Sequence, residues 1–207
     1  MKAFPQISNI GLRIGATTAI TGAILDQQQD INPDVDLYKE AWSAILLNLL
    51  FLGPLIFHTV ENHAFPKKFI VNIVDTVSLV IVHSGLYSLI HRCMHKIVAF
   101  RPIHRFHHRF KNIVMPSSAN AVSASEFLVA YMLPFVIGCK ILSPSKTSLV
   151  LSVSIVSMFN LFVHSKNLKN KSWIPGFVKP ADHFNHHLKK TEHYSAPTIS
   201  WERLFDH

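Results

Sequence analysis

Charge is scarce in this sequence. Only 15% of its 207 residues are Asp, Glu, Lys or Arg, while 49% are hydrophobic; soluble domains average about 25% charged residues. The shortage argues against an ordinary soluble domain and for a membrane protein. Cysteine is nearly missing too. Cys93 and Cys139 are the two present, and they provide neither a disulfide framework nor a thiolate metal site, so both read as reduced, packed residues. Residues 1–7 lack the run of small and apolar residues that a cleaved signal needs, so nothing there argues for secretion.

Basic residues outnumber acidic ones, with a formal net charge of +8. Such a balance suits nucleic acid or an anionic membrane surface. No nucleic-acid motif is present, and the placement of the cations excludes that partner. Arg92, Lys96, Arg101, Arg105, Arg109 and Lys111 form one group, and Lys166, Lys169, Lys171, Lys179, Lys189 and Lys190 another. Both flank apolar segments, as cytoplasmic loops do under the positive-inside bias.

Two regions follow. Residues 1–40 form an N-terminal segment. Within it, Gly11–Leu25 is moderately apolar, with Arg13 and three glycines, and reads as an interfacial or poorly spanning helix. The polar, acidic stretch Asp26–Glu40, broken by Pro33, reads as a loop. Residues 41–207 hold four apolar runs: Ala41–Phe57, Phe69–Ile90 (with Asp75 and His83), Phe127–Leu142 (with Pro134 and Lys140) and Thr147–Phe162. A hydrocarbon core of about 30 Å needs about 20 helical residues. The last two runs are short for that and read as a hairpin that dips in or lies between the others. Buried helices of a soluble protein are the alternative reading, weakened by four such runs in one chain. The expected fold is therefore all-α: a multi-pass membrane protein with about four spans or hairpins.

What the sequence has in excess is histidine, 14 in all. His91 and His95 are four apart. His104, His107 and His108 follow the pattern i, i+3, i+4, and so do His183, His186 and His187. Residues three and four apart are neighbours on one helix face, so each set is expected to present its imidazoles in one direction. The first two sets follow the second apolar run directly. The remaining two runs form an out-and-back pair that returns the chain to the same side near His164, before the third set. Neutral imidazole is a ligand for Fe, Cu, Zn and Ni, and eight such groups exceed the needs of one tetrahedral zinc. Two metals in a histidine-rich cap are the economical reading, with His164 as a candidate ninth ligand. His58, His63, His83 and His207 lie outside the pattern and read as packing, interfacial or terminal residues; His193 is close to the third set but out of register. The sequon Asn170–Lys171–Ser172 lies on the cap face and would stay unglycosylated if that face is cytosolic.

Acidic residues are nearly absent from the histidine sets, which disfavours carboxylate-bridged hydrolase chemistry. Redox-active iron with such ligands could activate O2 while the membrane supplies an apolar substrate. The boxes "HRCMH", "HRFHH" and "HFNHH" resemble those of the membrane-bound fatty acid hydroxylase and sterol desaturase superfamily. So do Pro116 and Glu126 after the second box, the isolated histidine in "LFVHSKN", and the closing "HHLKKTEHYSAPTISWERLF". The likeness runs from about Val82 to Phe205; Ser84 and His193 stand where an aspartate and an asparagine are more usual.

The resemblance implies a helical membrane protein whose cytosolic cap holds two irons. The ligands would be His91, His95, His104, His107, His108, His164, His183, His186 and His187. It implies O2-dependent hydroxylation or desaturation of a sterol or fatty acyl chain at the endoplasmic reticulum membrane. Electrons would come from NAD(P)H through a reductase or a cytochrome-b5-type donor. Two other classes compete: a membrane zinc hydrolase, with Glu126 or Asp182 as its carboxylate base, and a non-enzymatic membrane protein that binds metal to fold or interact.

Overall fold

Each apolar run becomes a helix, and the helices cross one layer in alternating directions. The computed structural model describes residues 6–32, 34–62, 64, 66–111, 114–171 and 173–205; Pro33, His63, Ser172 of the sequon, and His207 lie outside them. The chain is mostly helical, with no strand among the described residues beyond a single antiparallel bridge, Phe177–Ile199. Helix α1 is Asn9–Gln27, α2 Val35–Glu61, α3 Phe69–Lys96, α4 Ala124–Leu142, α5 Lys146–Val163, α6 Pro180–Lys189 and α7 Trp201–Phe205.

Four of these, α2 to α5, are long and apolar enough to cross a membrane. At 1.5 Å per residue, α4 and α5 measure about 28 and 27 Å, close to the hydrocarbon thickness. They are therefore long enough to cross as full helices, because polar caps extend them past the apolar runs. The Ser123 side chain accepts from Glu126 N, and the Ser145 side chain from Ser148 N. Helix α3 has 28 residues, about 42 Å. That is longer than the hydrocarbon core, so its C-terminal turns, with His91 and His95, project beyond it.

Helix α1 buries its glycine face, while Leu12, Ile20 and Ile24 on the other face are exposed. Gly11 lies against Pro54 and Phe57, Gly15 against Leu49, and Gly22 against Ser117, so α1 packs antiparallel to α2. A Cβ on Gly15 would stand 1.9 Å from the Leu49 carbonyl oxygen; only glycine permits this approach. Leu49 belongs to a π-helical segment of α2, Asn48–Leu52, and α4 has a second one at Phe127–Met132. The loop expected over Asp26–Glu40 is shorter than expected. Asp34 caps α2, accepting from Leu37 N at 2.8 Å, and the helix begins at Val35.

Two apolar clusters fill the bundle, one toward the cap around Tyr87, Phe127 and Tyr131, the other toward the far side around Phe57, Leu79 and Leu149. Between α3 and α5, Ser148 and Ser152 donate to the Asn72 and Thr76 carbonyls at 3.1 Å each. Such hydroxyl contacts join helices where lipid gives no hydrophobic drive. His83 packs in this region, its ring 4.3 Å from Phe135 and its Nε2 3.2 Å from the Tyr131 carbonyl. His58 sits at the far end beside Glu61. On the outside of α3, Phe69, Ile70, Val74, Val77 and Leu89 are exposed, the apolar face a bilayer would cover.

The cap comprises short helical turns after α3, then α6 and α7 after α5. Asp26 at the end of α1 accepts from Ser117 N at 2.9 Å and thereby anchors the turn Ser117–Asn120. Ser84 accepts from Ile199 N at 3.2 Å and from Trp201 Nε1 at 3.0 Å, which ties the C-terminal segment to α3.

Candidate metal centre

Nine histidines converge in the cap in two groups. His91, His95, His104, His108 and His186 form one; His107, His164, His183 and His187 form the other. Within each group one nitrogen per ring lies within 4.8 Å of all the others. His95 is half-buried and the other eight are buried.

The grouping is not the one expected from spacing. His107 leaves His104 and His108 to join the second group, and His186 leaves His183 and His187 to join the first. Local geometry explains both. On α6, His183 and His187 are one turn apart and share a face, whereas neighbouring residues 186 and 187 point about 100° apart. The middle box is not one helix: His104 ends the turn Arg101–His104, and His107 and His108 lie in a tight 3-10 turn, His107–Phe110. Each of these two boxes thus serves both groups. His193, with φ of 57°, belongs to neither group. That left-handed conformation is one that His, Asn and Asp tolerate better than most residues.

The outward ring nitrogens determine what the inward ones can be. His91 Nδ1 donates to the Tyr194 carbonyl at 2.7 Å, and His186 Nδ1 to the Glu192 carbonyl at 2.8 Å. His104 Nδ1 donates to Glu126 Oε1 at 2.6 Å, and His164 Nδ1 to the Asn160 carbonyl at 2.7 Å. In a neutral ring the proton is then on Nδ1, and Nε2 is a bare lone pair. Yet His91 Nε2 and His104 Nε2 face each other at 2.8 Å, with no proton to share. His186 Nε2 is buried without any partner. Lone pairs so placed repel unless a cation lies among them.

The spacings match that occupant. His91–His95 and His95–His108 are 3.2 Å apart at Nε2, His164–His183 2.9 Å and His183–His187 3.1 Å. Nitrogens about 2.1 Å from one centre and at right angles to each other would be about 3.0 Å apart. Both groups therefore fit a metal ion.

Burial keeps the rings neutral. It holds His104, His107, His183 and His187 well below the usual imidazole value, reinforced by neighbouring imidazoles. It pushes His164 and His186 down to about 4. Neutral imidazole is the ligand form. Glu126, fully buried, orients His104 in the manner of the carboxylates that support metal-bound histidines. Neither carboxylate of the hydrolase reading is free: Glu126 is engaged by His104, and Asp182 pairs with Arg203 at 2.6 Å. The carbonyls of Tyr194, Asn160 and Glu192 were not legible in the sequence, since a backbone acceptor has no side-chain signature.

A family model described as fatty acid hydroxylase matches residues 76–207, which include all nine histidines and Glu126. No curated protein and no solved structure matches the chain. With nearly two thirds of its length matched, the chain belongs to the fatty acid hydroxylase family, part of the fatty acid hydroxylase/sterol desaturase superfamily.

Proposed function

We propose that this protein is a di-iron oxidoreductase that hydroxylates, or desaturates, a C–H position of a membrane lipid such as a sterol or fatty acyl chain. O2 is the co-substrate, and NAD(P)H-derived electrons arrive through a reductase or cytochrome-b5-type donor. The observation that carries the reading is the pair of adjacent, buried, all-nitrogen groups at the end of a membrane-spanning bundle. All nine histidines are the proposed ligands, five for one iron and four for the other. Bound iron supplies O2 activation and one-electron chemistry.

The chain's own residues set the conditions for that chemistry. His91, His104, His164 and His186 hold their lone pairs inward through the outward Nδ1 contacts already described. Glu126 stabilises partial positive charge on the His104 ring when its Nε2 is engaged. Burial of the second group excludes water. Between α1, α2, α4 and α5 lies an apolar cleft of about 60 Å³, lined by Ile14, Leu49, Phe57, Phe127, Phe135 and Val156, which an apolar chain must widen to enter. The basic cap is proposed to face the cytosol at the endoplasmic reticulum membrane, in line with the positive-inside bias.

Metal content and O2 uptake test this reading on anaerobically reduced protein in mild detergent. About two irons per chain with reductant-dependent O2 consumption is the expected result. Zinc that iron cannot displace, with no O2 consumption, would overturn it.

A further inference from the structure

On the cap side, a cleft of about 590 Å³ opens above the first histidine group. His95, His104 and His108 line it, as do Lys96, Arg101, Arg105 and Lys190. No acidic residue lines it. Some cations elsewhere have an anion beside them, as Lys67 has Asp75, Arg109 has Glu40 and Arg203 has Asp182. Among the described residues none of the four cleft cations makes an ion pair.

Two of the four are held in place at the cleft. Arg101 Nε donates to the His95 carbonyl at 3.2 Å, and Lys96 Nζ lies 5.7 Å from the Tyr194 ring centroid. Lys190 ends α6 in the left-handed conformation, its backbone N–H donating to the His186 carbonyl. The cleft wall also includes Met94, Val98 and Pro102, and Ile97, Val98 and Phe100 beside it are exposed. One cavity thus combines a cationic rim, an apolar wall and three histidines of the first group.

We propose that this cleft binds the anionic head of an amphiphile, a carboxylate or phosphate carried on an apolar chain. Lys96, Arg101, Arg105 and Lys190 hold the head next to the first histidine group. The proposal rests on the lipid reading above and narrows its substrate class to anionic lipids. Charge supports it. Five neutral nitrogen ligands leave most of a bound metal's charge uncompensated at the first group, and the four cleft cations add to it, so an anion is the missing partner. Size supports it as well: the volume lies within the range of small-ligand sites, about 300–1,000 Å³, and a concave cleft admits a head group better than the surface of a folded protein.

The test measures binding by calorimetry on the full chain in neutral detergent, with the metal sites loaded with zinc so that no turnover is needed. The ligands are hexadecyl phosphate, palmitate, hexadecanol and inorganic phosphate. Wild type is expected to bind one or both anionic amphiphiles at least about tenfold more tightly than hexadecanol, and Arg105→Gln with Lys190→Asn to remove that preference, as losing charge-assisted contacts does. Asparagine tolerates the left-handed position of Lys190, and unchanged metal content will show that the cap is intact. Arg105→Lys should restore binding to within about threefold of wild type. Preference for hexadecyl phosphate over palmitate would identify a phosphate head, and the reverse a carboxylate; either supports the proposal. Equal binding of hexadecanol, equal binding of inorganic phosphate, or full affinity in the double variant would overturn it. So would loss of binding to an acidic electron-transfer protein in that variant while lipid binding stays unchanged, which would make the rim a protein dock. Failure of the iron reading appears separately, in metal content and O2 uptake.

Discussion

The two histidine groups are built from the same residue type and even from the same boxes, yet their supports differ. In the five-histidine group, three rings are oriented from outside by Tyr194, Glu126 and Glu192, and half-buried His95 lines a cleft. In the four-histidine group all rings are buried. There, His164 Nδ1 donates to the Asn160 carbonyl, while Nδ1 of His183 and His187, like that of His108 in the first group, has no partner among the described residues. The first group is thus preorganised by hydrogen bonds and reachable from the cap. The second relies on packing and on the metal itself. Its Nε2 atoms face one another and gain a cation between them only on metallation, which makes metal binding and local folding one process.

Ligand deletion should separate the groups most strongly. His187→Ala leaves three nitrogens in the second group and is expected to weaken its metal by more than about 100-fold, beyond what loss of a supporting contact costs. Iron content after chelator challenge should fall to about one per chain, with O2 uptake lost. His95→Ala leaves four nitrogens in the first group and should retain metal there; an equal loss in both variants would erase the distinction between the groups.

Glu126→Gln sharpens the contrast from the other side. The amide still accepts from His104 but is neutral, so the first metal should weaken by about 10–100-fold while the second keeps its affinity. Competition with a chelator at each site measures this, and equal weakening at both sites would show that Glu126 does not act through His104.

Acid should destabilise both groups. His164 and His186 are lowered to about 4 and the other cap histidines are lowered as well, so the unfolded chain binds more protons than the folded one below about pH 6.5. Stability is present above that pH and falls as pH drops, by about 1.4 kcal/mol per pH unit for each such histidine. Thermal melts of metal-free protein at pH 7.5 and 5.5 check it; a flat profile would refute neutral burial. Gly15→Ala should have the smallest effect on the contrast, because it acts far from the cap. Its Cβ would collide with the Leu49 carbonyl, costing about 1–3 kcal/mol and lowering the melting temperature without favouring either metal.

Much of this was written in residue order. Long uncharged runs give spanning helices because lipid admits only backbone that satisfies its own hydrogen bonds, and the alternation of those runs places His91–His108, His164 and His183–His187 at one end. Histidine spacing marked eight of the nine converging residues and suggested two centres, and the return of the chain to the cap side added His164. The sequence was less informative about α1, whose modest hydropathy hides its close packing along α2. Its glycines stand at close approaches that depend on where Leu49 and Ser117 lie.

The division of the nine rings between two groups was decided by tertiary structure alone. Spacing assumes a continuous helix, but the chain at His104–His108 breaks into two short turns, and α6 aims residues 186 and 187 in different directions. Which ring nitrogen faces inward depends likewise on carbonyls of Tyr194, Asn160 and Glu192 brought up from other segments. Local periodicity can state that imidazoles are neighbours; only packing against the rest of the chain determines which lone pairs share a centre.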